Sequence, residues 1–210
     1  MKISELIKEA HENAIEKGFY ECRDCEGKKY IGRGSHFVKE CPECNGTGID
    51  QNKNIPEMLM LIISEISEAV EALRCGKFTN CDIEDYSDFD KESYPRWFER
   101  HIKDTFEDEI ADFYIRLFDL CGYLEIEYVG NSLPLIKFDK VKNITHQLFY
   151  IAKRIMMLDC KYLSCRQNEI SDIFNNLDLF CEHNNIDIEN HIKAKMEYNK
   201  TRPKKHNKEF

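Results

Sequence analysis

The chain has 210 residues, 42% of them apolar, and a formal charge of −9; this suffices for a compact core with an embellishment, while the acidity disfavours nucleic-acid binding outside a local basic patch. The longest purely apolar run, Met58 to Ile63, is too short to cross a bilayer, and the charged opening "MKISELIKEAHENAIEK" lacks the apolar stretch of a signal peptide, so a soluble, cytoplasmic protein is expected. Ten cysteines with no mark of export read as thiols rather than disulfides.

Residues 3–17 are predicted to form a helix, with Ser4 as a cap, Ile3, Leu6, Ile7, Ala10, Ala14 and Ile15 on one side, and Gly18 at its end. Composition then changes. Residues 19–50 are rich in Gly and Cys, as in "YECRDCEGKKYIGRG" and "ECPECNGTG", and suggest short strands and tight turns. Cys22-x-x-Cys25 and Cys41-x-x-Cys44 have the spacing of a zinc ribbon, in which two turns each present a pair of thiolates to one tetrahedral ion. Four thiolates leave no open coordination position, so the implied Zn²⁺ is structural. "CPECNGTG" also resembles the cysteine–glycine repeat of DnaJ-type chaperones, but the chain has no His-Pro-Asp triplet and only one pair of such turns. The other six cysteines, Cys75, Cys81, Cys121, Cys160, Cys165 and Cys181, read as small apolar core residues.

Helical periodicity resumes at Pro56, which suits a first turn. At about 100° per residue, Met58, Leu59, Leu61, Ile62, Ile63, Ile66, Ala69, Val70, Ala72 and Leu73 fill one broad arc. Glu65 falls inside that arc and Glu68 at its edge. An Asp-rich, aromatic stretch follows to about Pro95, and then a long helix is predicted from about Arg96 to Tyr123. In it Glu109 and Asp112 flank a stripe of Phe106, Ile110, Phe113, Leu117, Leu120 and Leu124. Residues 124–140 read as irregular, and further helices are expected at about 141–159, 167–183 and 187–200. The fold class is all-α, with 1–18 and 51–210 as one helical domain and 19–50 as an inserted ribbon.

Residues three apart share a helix face, so packing the two stripes together gathers Glu65, Glu68, Glu109 and Asp112. Like charges in a partly dry site raise their pKa values or recruit cations. An all-carboxylate set favours Mg²⁺ over zinc, and facing helices of a bundle are a known way to build such a site.

At these residues the chain resembles the MazG-like all-α nucleoside triphosphate pyrophosphohydrolases, whose signature is ExxE on one helix and ExxD on a later one. Here these are Glu65-Ile-Ser-Glu68 and Glu109-Ile-Ala-Asp112. "AHENAIEKGF" at 10–19, "NIPEMLMLIISEISEAVEALRCGK" at 54–77, "EDEIADFYIRLFDLCGYLEIE" at 107–127 and "KMEYNKTRPKKHNKEF" at 195–210 look like successive blocks of one such subfamily. The resemblance implies Mg²⁺-dependent cleavage of an NTP or dNTP to the monophosphate and pyrophosphate, with Glu65, Glu68, Glu109 and Asp112 as catalytic metal ligands.

The basic segment at 193–210, with seven Lys or Arg against two Glu, reads as a solubilising tail. Under the resemblance it closes over the polyphosphate through Lys195, Arg202, Lys204, Lys205 and His206, with Asn199 as a hydrogen-bonding partner. The family tail usually has Gly after the His, where this chain has Asn207. Arg116 reaches either a phosphate or an acid. Phe19, Tyr20, Trp97 and Phe98 offer stacking surfaces for a base, and Asn13 and His11 offer hydrogen bonds.

A displacement of sixty positions aligns Glu109, Ile110, Asp112, Leu117, Cys121 and Ile126 with Glu169, Ile170, Asp172, Leu177, Cys181 and Ile186. The segment at 144–159, "ITHQLFYIAKRIMMLD", has no acidic pair where an ExxE would fall. Either two amphipathic helices share a period, or a degenerate helix pair packs on the catalytic one and forms within one chain the bundle that smaller relatives make as homodimers. The competing functional class is a non-catalytic zinc-ribbon module binding nucleic acid or protein on a helical scaffold.

Overall fold

A computed structural model of the protein describes residues 2–32, 38–84, 90, 92–130, 143–158, 162 and 167–207; Cys160 and Cys165 lie outside them. The described residues are mostly helical. Seven helices, α1 (Ile3–Glu16), α2 (Ile55–Arg74), α3 (Tyr94–His101), α4 (Phe106–Tyr123), α5 (Ile144–Met156), α6 (Gln167–His183) and α7 (Ile188–Thr201), accompany two short strands, β1 (Tyr30–Ile31) and β2 (Lys39–Glu40). No described helix is long and apolar enough to cross a membrane. The chain divides into two compact units. One contains the residues through His11 and Ile55–Thr201, and the other Glu12–Asn54 and the segment from Arg202. The second unit is thus wider than the 19–50 ribbon, because it takes in the end of α1 and the part of the basic segment from Arg202.

In the helical unit, α2 packs on α4 and α5, α4 on α7, α5 on α6, and α3 on α7. The α2 stripe buries Leu59, Ile62, Ile66, Ala69 and Ala72 against Ile110, Phe113, Leu117 and Leu120 of α4. Aromatic rings join α4 to α6: Phe118 stacks on Phe174 at 5.3 Å, and the Tyr114 hydroxyl donates to Asp178 at 2.7 Å. A smaller cluster joins Tyr94, Phe98 and Ile102 to Ala194 and Tyr198, with Phe98 stacked on Tyr198 at 4.4 Å.

The single helix expected from Arg96 to Tyr123 is two helices. Asp104 takes a left-handed φ of 61°, and Thr105 accepts from the Asp108 N–H at 3.3 Å, starting α4 afresh. Glu107, Asp108 and Glu109 then fill the first turn of α4, where the helix dipole favours negative charge.

The helices α4 and α6 end in one hydrogen-bonding pattern. After α4, Glu125 N donates to Gly122 O and Ile126 N to Cys121 O; after α6, Asn185 N donates to Glu182 O and Ile186 N to Cys181 O. Glu125 and Asn185 sit at φ 53° and 55°. Both ends are Schellman motifs formed without glycine.

The ribbon carries a duplication of its own at a spacing of nineteen. Gly27 N donates to Cys22 O and Gly46 N to Cys41 O, while Cys22 N donates to Gly48 O and Cys41 N to Lys29 O. The β1–β2 ladder pairs Tyr30 with Glu40, and a single bridge pairs Glu21 with Ile49. Two turns of the same shape therefore face each other and cross-donate.

Gly122 of α4 lies under His11: an added Cβ would stand 2.4 Å from the His11 Cβ, an atom that no side-chain rotation can move aside. Replacing Gly by Ala in a helix gains up to about 1 kcal/mol, whereas overpacking costs about 1–3 kcal/mol. Gly122→Ala is therefore expected to destabilise the helical unit, read as a lower urea midpoint at unchanged m-value.

Candidate metal centres

The first centre belongs to the ribbon. Cys22, Cys25, Cys41 and Cys44 are buried, with all four sulfurs within 4.8 Å of one another. Cys22 and Cys41 sulfurs stand 3.8 Å apart, and those of Cys25 and Cys44 3.7 Å. A tetrahedral ion with Zn–S bonds of about 2.3 Å requires sulfur edges of about 3.8 Å, so the thiols fit Zn²⁺. Burial pushes the Cys44 thiol up, but the Gly48 N–H that donates to its sulfur at 3.2 Å and the neighbouring thiols outweigh this and bring it to about 7. That favours the thiolate a metal needs.

The second centre lies in the helical unit. Glu65 of α2, and Glu109 and Asp112 of α4, place carboxylate oxygens within 4.8 Å of one another. Oxygens in one octahedral Mg²⁺ shell stand about 3–4 Å apart, so small carboxylate shifts close this triad on an ion. Glu65 is buried, as its position in the apolar arc implies. Glu68, one turn further along α2, is exposed and outside this triad, but its charge still raises Glu65.

Two cations reach the cluster. The Arg116 Nε, one turn beyond Asp112, donates to Glu65 Oε1. Lys195 of α7 is buried, donates to both Asp108 oxygens at 2.8 Å, and pairs with Asp112 Oδ2 at 2.7 Å. Its ammonium lies 5.5 Å from the centre of the Phe98 ring. Arg116 thus pairs with an acid, one of the two partners its position allows.

Sequence reasoning missed Asp108, a fully buried carboxylate that also accepts from Asp104 N at 3.0 Å. Its signal was present: it is four residues before Asp112, and thus on the same face. Four carboxylates facing two cations leave a negative excess that a proton or a metal ion must offset. Burial first, then Asp112 and Asp108, push Glu109 up to about 9. Burial outweighs Lys195 and raises Asp108 to about 6; burial and Asp112 likewise outweigh Arg116 and raise Glu65. Lys195 moves the other way. Despite burial, Asp108 and Asp112 hold its ammonium well above the ordinary lysine range. His191, one turn earlier on α7, is lowered to about 4 by burial and adds no charge at neutral pH.

The remaining candidates divide between the units. Asn199 is buried one turn beyond Lys195, and Trp97 packs between Tyr94 and His101 at 5.8 and 6.2 Å. His11 Nδ1 lies 2.8 Å from Asp119 Oδ1. Asn13, Arg202, Lys204, Lys205 and His206 belong to the ribbon unit. There, the buried Asn13 Oδ1 has no hydrogen-bond partner among the described residues. Tyr20 is buried with Lys53 over its ring at 5.1 Å.

Comparison with protein-family models, with curated proteins and with solved structures finds no match.

Between its ordinary value of 4.5 and about 9, Glu109 holds a proton in the folded chain that the unfolded chain releases. The unfolded state then binds fewer protons, so stability falls as pH rises through that window. Urea unfolding of metal-free protein is expected to show that decline, and Glu109→Gln to flatten it.

Proposed function

We propose that the protein is a Mg²⁺-dependent nucleotide pyrophosphohydrolase of the MazG-like all-α type, cleaving an NTP or dNTP to its monophosphate and pyrophosphate. The observation that carries this reading is the convergence of Glu65, Glu109 and Asp112 from two helices within 4.8 Å, in a cluster whose acids outnumber its cations. The motif spacing Glu65-x-x-Glu68 and Glu109-x-x-Asp112 supports it, with Glu68 entering the ligand set by resemblance.

When bound, Mg²⁺ orients the phosphates, activates the attacking water and offsets charge on the leaving pyrophosphate. The chain's own part is to hold the acids in place. Arg116 fixes Glu65, and Lys195 takes one oxygen of Asp112 while Asp108 grips Lys195 with both of its own. The other Asp112 oxygen, Glu65 and Glu109 would hold the ion, Glu109 as its carboxylate. On this reading Lys195 orders a ligand carboxylate.

The α5–α6 pair is read as a degenerate copy of α2–α4, completing the bundle within one chain. In support, Ile110, Leu117 and Cys121 and their counterparts Ile170, Leu177 and Cys181 are all buried, and the two helices end in the same hydrogen-bonding pattern.

A panel of NTPs, dNTPs and modified nucleotides, assayed for pyrophosphate release with Mg²⁺, tests the proposal. Glu65→Gln is expected to reduce turnover to background and Glu169→Ala to leave it nearly intact. Salt-dependent nucleic-acid binding without pyrophosphate release from any nucleotide would instead favour the binding-module class.

A second pair of variants tests the role of Lys195. Removing Asp108 leaves Lys195 to Asp112 alone and in competition with the ion, so Asp108→Asn should weaken Mg²⁺ binding on the order of tenfold. Lys195→Met loses the group that orders Asp112 and should weaken Mg²⁺ binding as well. Calorimetric titration of both variants reads the two losses.

A further inference from the structure

The zinc module has no part in the chemistry proposed above, yet the basic segment joins the same compact unit. The contacts are specific. Lys17 Nζ donates to Arg202 O at 2.8 Å, and Lys205 N donates back to Lys17 O at 2.8 Å. Lys204 Nζ pairs with Glu21 Oε1 at 2.6 Å. The Lys204 stem runs over Gly18, where an added Cβ would come within 2.7 Å of its Cε. The His206 ring meets the Phe19 ring edge-on at 5.2 Å.

Glu21 connects this set to the metal centre. It immediately precedes the ligand Cys22, its backbone bridges to Ile49, and its carboxylate lies against the Cys22–Cys25 turn, 3.1 Å from where a Cβ on Gly27 would stand. Moving that turn moves the partner of Lys204.

The segment held in this way is strained. Lys205 and His206 are consecutive non-glycine residues at φ 50°, a left-handed conformation that residues with a Cβ rarely adopt. Such a conformation persists only where its surroundings impose it. Here those surroundings are Lys17, Phe19 and Glu21, all between the last turn of α1 and the first cysteine.

We propose that the four-cysteine module is a clamp for the basic segment, so that zinc occupancy sets the conformation of Arg202, Lys205 and His206 and with it the affinity of that segment for a polyphosphate. Lys17 and Glu21 are its positioning residues. The clamp follows from the contacts above, whereas its consequence for substrate rests on the nucleotide reading. A small metal module whose folding depends on its ion then acts on nucleotide affinity without supplying a ligand to the carboxylate centre.

The experiment uses the full chain, zinc-loaded, zinc-stripped by chelation, and as the zinc-loaded charge reversal Glu21→Lys. Hydrogen exchange is read at the Lys205 amide, at the Cys22 and Cys41 amides of the ribbon, and at Leu117 inside α4. Stripping is expected to expose Lys205 together with Cys22 and Cys41 and to leave Leu117 protected. Glu21→Lys is expected to keep its zinc and its Cys22 and Cys41 protection, yet exchange several-fold faster at Lys205, with a raised nucleotide KM and little change in kcat. A Lys205 amide that stays protected in both forms overturns the clamp and leaves the nucleotide reading standing. Faster Lys205 exchange with unchanged KM overturns the link to polyphosphate. If no nucleotide is cleaved by the zinc-loaded parent chain, the nucleotide reading and that link both fall, while the exchange data still decide the clamp.

Discussion

The helical unit is organised around one electrostatic constraint, the burial of Glu65, Asp108 and Glu109, with Asp112 beside them, on helix faces that otherwise carry the core. Removing ionised carboxylates from water costs several kcal/mol each unless charges or hydrogen bonds replace the hydration. Arg116 and Lys195 supply part of that replacement. The rest is left to a proton on Glu109 or to a divalent ion, and the two exclude each other at that carboxylate. A cluster neutralised fully by its own side chains would be an ordinary buried ion network. This one has a deficit, and the deficit makes it a candidate for metal binding.

Lys195 shows why the tertiary arrangement matters. A lysine in the basic run near the end of the chain suggests a solvated, phosphate-seeking group. Its helix instead packs along α4, and its ammonium sits between Asp108 and Asp112 with the Phe98 ring nearby. Charge-assisted contacts of this kind, made away from water, are stronger than surface pairs. The ion pair also ties the smaller cluster of α3 and α7 to the acidic face of α4, so site geometry and packing depend on the same residue.

The ribbon uses duplication to complete something that one copy cannot. One Cys-x-x-Cys turn offers two sulfurs, whereas a tetrahedral ion takes four; the second turn, nineteen residues on, supplies the others and returns the backbone hydrogen bonds of the first. A single pair of amphipathic helices buries one face only. In the helical unit α5 and α6 cover α2 and α4, and α6 ends in the hydrogen-bonding pattern of α4. The nineteen-residue repeat keeps its ligands in both halves. Ile110, Leu117 and Cys121 of α4 and Ile170, Leu177 and Cys181 of α6 are buried alike, while α5 lacks the paired acids of α2.

The all-α body, the four-thiol cluster and the inward turn of Glu65 could be read from the chain because each is a short-range pattern: a period of 3.6, two residues between paired cysteines, one acid within an apolar arc. The break before α4 was also written locally, in Thr105 and the acids that follow it, but helical periodicity on both sides masked it. Asp108 stood in plain view four residues before Asp112, yet nothing local distinguishes a buried acid near a helix start from the solvated ones that favour the same position. The partner of Lys195, and the union of residues 202–206 with the ribbon, depend on contacts across some 90 and 180 residues of chain. Periodicity and spacing describe what a segment can bury, not which distant segment will bury it. Only packing of the whole chain decides that, because the free energy of such a contact depends on the desolvation and neighbouring charges that the folded arrangement creates.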